Sequence, residues 1–395
     1  MYKVVAAVVT LLVALGAPGL GLGLGLGQAA HASVSPAVGK ALNDARAQAG
    51  SRSYAAAVAS AKQALALAKN GEEKGKSLEM LAYIYNVSGN RSGAADTLES
   101  MIASGQISGG QVATKRREIC TLRYQAQQWD QAARVCTDSA LVAQIYFQQR
   151  NYAKAAQVLR KSIGGGSTPS KNVLQTLARC YFELRDAAGT QWANEQMVTY
   201  YPEARYWGDL LTVVQNKVRN NTRYDLDILR LREATGTIKM PSGIMEMAQL
   251  AIQLQLSAEA KASLERALAA GQIGKGQDTP REMRLVTMAR TQDKTSAGTM
   301  AARAASATST PTGEDDVRIG EVLAYSGKAE QGVAAIQAGI AKGGLKDPVE
   351  AQLRLGLAQY KAGKKDAALK TLAGAKGKSP FEDIARLWSI KIRTG

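Results

Sequence analysis

Leu355-Gly356-Leu357-Ala358-Gln359-Tyr360, followed by Gly363, Ala368, Leu372, Ala375 and Pro380, is the stretch whose spacing decides the fold. A large apolar residue stands beside a small one, an aromatic follows about a helical turn later, and a glycine marks a turn. An alanine then leads a second apolar series with a leucine four positions on. The pattern returns at Leu81-Ala82, Tyr85, Gly89, Ala94 and Leu98, and at Val142-Ala143, Tyr146, Ala155 and Leu159. It returns again at Leu177-Ala178 and Tyr181, at Met247-Ala248, Ala260, Leu264 and Ala267, and at Ile319-Gly320, Leu323, Gly327 and Ile336. From Val142 through Leu177, Met247 and Ile319 to Leu355 the steps are 35, 70, 72 and 36 residues, so the two double steps leave room for degenerate copies near Leu211 and Met283. The period fits pairs of antiparallel helices, with small residues where the two cross and leucines and aromatics beside them. One such pair cannot cover its own apolar face, so it stacks on the next.

Composition agrees. Of 395 residues, 46% are hydrophobic but only 5% aromatic. Alanine, leucine, glutamine and arginine favour helix, and β-branched runs are scarce after residue 40. The expected class is all-α.

With these residues quoted, the chain resembles the tetratricopeptide-repeat (TPR) family over roughly residues 36–392. The resemblance implies an α-solenoid of about 7–9 hairpins, some degenerate, closed by a capping helix. The step is slightly longer than the family's 34, and between Ile119 and Val142 it shrinks to 23, which requires a short helix around Trp129–Thr137. The segment Glu203–Gly243 matches poorly. Tyr200-Tyr201-Pro202 and Tyr206-Trp207 also resemble a block in exported proteobacterial repeat proteins, which implies a partner near an inner-membrane energy-transduction complex.

The expected organisation is a leader at 1–32, an N-terminal solenoid at 33–202, a degenerate continuation at 203–294, a loop or linker at 295–313 and a C-terminal pair of hairpins at 314–395. The leader reading rests on Lys3, the apolar run Val4–Ala17, a Gly-Leu alternation to Gly27, and small residues at Ala30 and Ala32. That is the layout of a signal peptide cut after Ala32, and it predicts a periplasmic product; an uncleaved anchor is the alternative. No later stretch is long and apolar enough to span a membrane. Thr295–Thr312, rich in Ser, Thr, Ala and Gly, reads as a long loop or frayed helix. At the end, Ser379, Pro380, Glu382 and Asp383 read as a helix start, and Phe381, Ile384, Trp388 and Ile392 as the apolar face of a cap.

Chemistry finds little foothold. The single histidine, His31, falls within the leader, so a mature chain lacks histidine-activated nucleophiles and histidine metal ligands. Gly377-Lys378-Ser379 has Leu372 where a phosphate loop needs glycine, and Gly164-Gly165-Gly166-Ser167 follows a helix rather than a strand. These features predict a non-enzyme without cofactor, metal site or catalytic residue. Cys120 and Cys136 stand symmetrically about a turn near Gln128, which fits either a disulfide or two small buried packing residues.

Function is therefore sought in binding. The resemblance places a concave groove on the first helix of each hairpin and implies Tyr83, Arg117, Tyr124, Gln144, Phe147, Arg179 and Phe182 as its lining. For Phe147 and Phe182, packing against neighbouring helices is the competing reading. The expected function is a periplasmic scaffold for a protein or peptide partner of the cell envelope, with no nucleic acid. The net charge of +17 supplies an alternative, a binder of peptidoglycan, lipopolysaccharide or another anionic envelope polymer.

Overall fold

The computed structural model describes residues 34–163 and 167–395, so the expected leader and the Gly164–Gly166 loop lie outside the described residues. Every regular element among those residues is helical. The described residues form two compact units, dividing after Gln128. The first holds α1 (Pro36–Gly50), α2 (Tyr54–Leu67), α3 (Gly71–Val87), α4 (Arg91–Ala103) and α5 (Gln111–Gln125). The second begins with α6 (Trp129–Val135), α7 (Ser139–Gln148), α8 (Tyr152–Ile163), α9 (Lys171–Glu183) and α10 (Ala187–Tyr200). It continues through α11 (Ala204–Gln215), α12 (Thr222–Ala234), α13 (Pro241–Gln253), α14 (Ser257–Ala269) and α15 (Thr279–Ser309). It ends with α16 (Glu314–Tyr325), α17 (Ala329–Lys342), α18 (Pro348–Lys361), α19 (Lys365–Gly374) and α20 (Phe381–Thr394).

Within each unit, consecutive helices pack on one another, the arrangement of an α-solenoid. The closest hairpins are α1–α2, α3–α4, α7–α8, α9–α10, α13–α14, α16–α17 and α18–α19. The repeat register is visible in the backbone. Left-handed residues fall at Gly89, Gln127, Arg150, Arg185, Gln255, Gly327 and Gly363, with φ between 55° and 84°. Each stands eight positions after an apolar anchor, from Leu81 to Leu355. This conformation turns the chain sharply after a helix, and its cost at the four positions with a side chain, Gln127, Arg150, Arg185 and Gln255, is offset by helix packing. The degenerate copy at Leu211 turns one residue late, at Asn220 (φ 60°). The shortened step after Ile119 yields the seven-residue α6.

Near Met283 the repeat's turn is missing. A loop is expected at 295–313, but the structure has a continuous 31-residue helix, α15, running to Ser309. Two local causes act together. Ala297, Ala301, Ala302, Ala304, Ala305 and Ala307 have high helix propensity. The threonines that would favour a loop turn their hydroxyls back onto their own helix: Thr291, Thr295 and Thr299 donate to the carbonyls four residues earlier at 3.0, 3.1 and 3.3 Å.

The capping helix also does more than the sequence predicts. Besides Phe381, Ile384, Trp388 and Ile392, it buries Ala385, Leu387, Ser389 and Ile390. A helix covered on more than one side must have more than one neighbour. Here α20 packs on α18 and α19 and also on α10 and α12. Trp207, Leu210, Leu211 and Tyr224 from the poorly matching segment join Leu353, Phe381, Ile384 and Leu387 in one core. Arg386 fixes the approach by donating through Nε to both Glu195 carboxylate oxygens, at 3.0 and 2.9 Å. The C-terminal hairpins are therefore part of the second unit's core.

In the first unit, Glu73 ties three segments together. Its carboxylate accepts from Ser35 N at 2.8 Å and Lys69 N at 2.7 Å. Those backbone bonds, Lys69 first, hold its pKa down at about 2, against an ordinary 4.5. A depressed carboxyl contributes stability above its unfolded pKa and loses it as pH falls toward the folded value. Glu73→Gln should therefore be less stable than the parent at neutral pH, and the gap should narrow between about pH 4.5 and pH 2. Thermal melts across that range check it.

Candidate functional site

Four of the implied groove residues lie on two helices of the second unit. On α7, Gln144 is exposed, while Phe147 is half-buried with its ring edge-on to Tyr152 at 5.2 Å. It packs with the α7–α9 core, so for Phe147 the packing role is the one observed. On α9, Phe182 is 63% exposed. Its ring lies under the Arg179 guanidinium, 5.4 Å from the centroid, and Arg179 is also ion-paired to Glu183. No hydrogen bond, ion pair or ring contact among the described residues joins the α7 pair to the α9 pair. In the first unit, Tyr83 on α3 is 55% exposed, Arg117 on α5 is exposed and Tyr124 is half-buried.

Cys180 is a free, buried thiol. Burial pushes the Cys180 thiol up to about 11, so it stays protonated at neutral pH and is a poor nucleophile. Among the described residues no group of three or more His, Cys, Asp or Glu is placed to hold a metal, and no helix is long and apolar enough to cross a membrane. Trp207, in the segment that matches the repeat worst, is 1% exposed in an apolar core rather than in a polar pocket.

The most concentrated polar arrangement is one the sequence reading did not single out. Inside the second unit, α12, α14, α16 and α18 bring Asp227, Arg230, Glu259, Glu321 and Arg354 together, each at least nine-tenths buried. Arg230 forks onto Glu259, Nε–Oε1 2.7 Å and Nη2–Oε2 2.6 Å, and donates through Nη1 to Asp227 at 2.8 Å and Glu321 at 3.0 Å. Arg354 forks onto Asp227 at 2.6 and 2.7 Å and reaches Glu350 at 3.0 Å. Arg223 joins Glu321 at 2.6 Å and also pairs with Glu350. Burial alone would raise the Glu321 carboxyl. Arg354, Arg223 and Arg230 overcome it and hold Glu321 well below the ordinary carboxylate range. Each carboxylate oxygen of Asp227, Glu259 and Glu321 accepts from at least one arginine, so the cluster is a structural clasp between four helices.

A clue to it is present in the sequence. Leu226-Asp227-Ile228-Leu229-Arg230-Leu231 sets two charges three apart inside an apolar run with no polar face, and all six residues are buried. A charge in such a run has to find its counter-charge in the interior.

Residues 317–383, spanning α16 to the start of α20, match the tetratricopeptide repeat family model. That stretch is similar to the tetratricopeptide repeat. No curated protein matches it by sequence. Among solved structures, it is similar to Naa15/Naa10 bound to HypK-THB at 12% identity and a TM-score of 0.36, over 87% of this chain and 54% of that one. It thus spans about half the length of that neighbour. The TPR2AB domain of yeast Sti1 in complex with pHSP90 aligns at 16% identity and a TM-score of 0.23, over 72% of this chain and 100% of the other. A tetratricopeptide repeat protein from Parabacteroides merdae aligns at 12% identity and a TM-score of 0.21, over 81% and 99%.

Proposed function

We propose that this TPR protein is a non-catalytic scaffold that binds a protein or peptide partner, and that it works in the periplasm after export. The observation that carries the binding reading is Phe182. A phenylalanine 63% exposed on a first helix, with an arginine stacked on it, keeps apolar area in water that its own fold does not cover. Aromatic and arginine side chains are the usual anchors of protein interfaces. The export reading rests on the leader-like sequence of residues 1–32.

Affinity capture from an envelope extract with the parent and Phe182→Ala tests the first part. The expected result is a specific co-captured protein that falls about tenfold with Phe182→Ala, the loss of roughly 1.4 kcal/mol. It should be unchanged with Met288→Ala, an exposed apolar residue on α15. Equal capture by all three proteins removes Phe182 from the binding surface. Fractionation with N-terminal sequencing tests the second part, with Ser33 expected as the first residue of the exported form.

A further inference from the structure

We propose that a cleft in the second unit, distinct from the Phe182 surface, binds a carboxylate carried on an aromatic body. The cleft has a volume of about 350 Å³ and lies among α12, α14, α16, α18 and α20. That is the lower end of the range of ligand pockets, enough for a single ring with a short acidic arm. Leu357, Tyr325, Tyr360 and Trp388 supply apolar and aromatic walls, and Tyr360 is 41% exposed.

One charge lining the cleft is left without an ion pair among the described residues. Arg230, Arg266 and Lys361 face the cleft, against Glu233 and Glu259. Both carboxylates are committed. Glu259 takes the fork from Arg230, and Glu233 accepts from Arg266 and from Ser263, both at 2.8 Å. Among the described residues Lys361 forms no ion pair. Its ammonium instead lies 4.0 Å from the centroid of the Tyr325 ring, which also carries the Arg230 guanidinium at 4.2 Å. One ring is thus shared by two cations. Although Lys361 is exposed as a residue, crowding around its ammonium lowers the pKa, with Glu259 opposing. A cation held partly out of water without a counter-ion gains from an anion more than a solvated lysine does. A lysine without a counter-ion matches a single carboxylate, and the walls select a ring rather than a hydrated polyanion.

The carboxylate could come from a free aromatic acid or from an acidic side chain next to an aromatic in a peptide. Calorimetry on the full chain distinguishes the two with paired probes, phenylacetate against phenylacetamide and acetyl-Phe-Glu-amide against acetyl-Phe-Gln-amide. The acid of at least one pair should bind about tenfold tighter than its amide. Preference in the peptide pair identifies a peptide segment as the source, and preference confined to phenylacetate identifies a free acid. Lys361→Met keeps the apolar stem and should bring acid and amide within about twofold of each other, while Tyr360→Ser should weaken both members of a pair. Thermal melts verify that each variant is folded. Equal affinity for acid and amide, an unchanged preference in folded Lys361→Met, or no binding of any probe up to roughly 10 mM would overturn the assignment.

Discussion

Arg354→Met is expected to destabilise the second unit by about 3–5 kcal/mol. The guanidinium is 1% exposed, forks onto Asp227 and also meets Glu350, so its removal leaves carboxylate charge in a dry interior. The methionine fills most of the space, so the loss is electrostatic rather than a cavity. Arg230 still reaches Asp227, but by one bond at 2.8 Å, and its fork is already spent on Glu259. Pairing the change with Asp227→Asn removes the stranded charge and should recover a measurable part of the loss, and urea unfolding of the two variants supplies the comparison. Were the single variant within about 0.5 kcal/mol of the parent, the clasp would contribute nothing net. The pH dependence has a defined sign. Glu321 is depressed in the folded protein, so its contribution is complete above the ordinary carboxylate range and is lost as the solution is acidified below it. The parent should therefore lose more stability on acidification than Glu321→Gln.

Gly332→Ala should also lower stability, although in an exposed helix the same change would gain up to about 1 kcal/mol. Gly332, on α17, is buried against α16. A Cβ there would meet the Gly320 carbonyl oxygen at 2.5 Å and the Ala324 nitrogen at 2.8 Å. Both are backbone atoms of α16, so no rotamer change relieves the clash and the helices must separate. Overpacking costs about 1–3 kcal/mol and occasionally more, which outweighs the propensity gain. The net loss should be roughly 2 kcal/mol, seen as a melting point several degrees lower. Gly298→Ala, on α15 with open space around its Cβ position, is the control and should be neutral or slightly stabilising. A Gly332→Ala protein as stable as the parent would show that α16 and α17 are not packed through their glycines.

How far the sequence reaches can be judged from these positions. Gly320 reads as a crossing point because the repeat puts a small residue beside each apolar anchor. The repeat also locates each turn, since backbone register is a local property carried by residues within one hairpin. For Phe182 the same pattern leaves exposure and packing both open, and the structure has it 63% exposed. Phe147 occupies the matching place, yet its neighbour Tyr152 draws it into packing, and a one-helix pattern cannot show that.

Length and spacing alone determined that this chain is built from stacked helical pairs, because amphipathic periodicity and small crossing residues are written within some 35 consecutive positions. Tertiary structure alone decided that α20 packs on α10 and α12 and that Asp227 meets Arg354. That last pair is separated by 127 residues. A buried charge announces only that it needs a partner, and the choice among many distant candidates is made by how the helices come together in space.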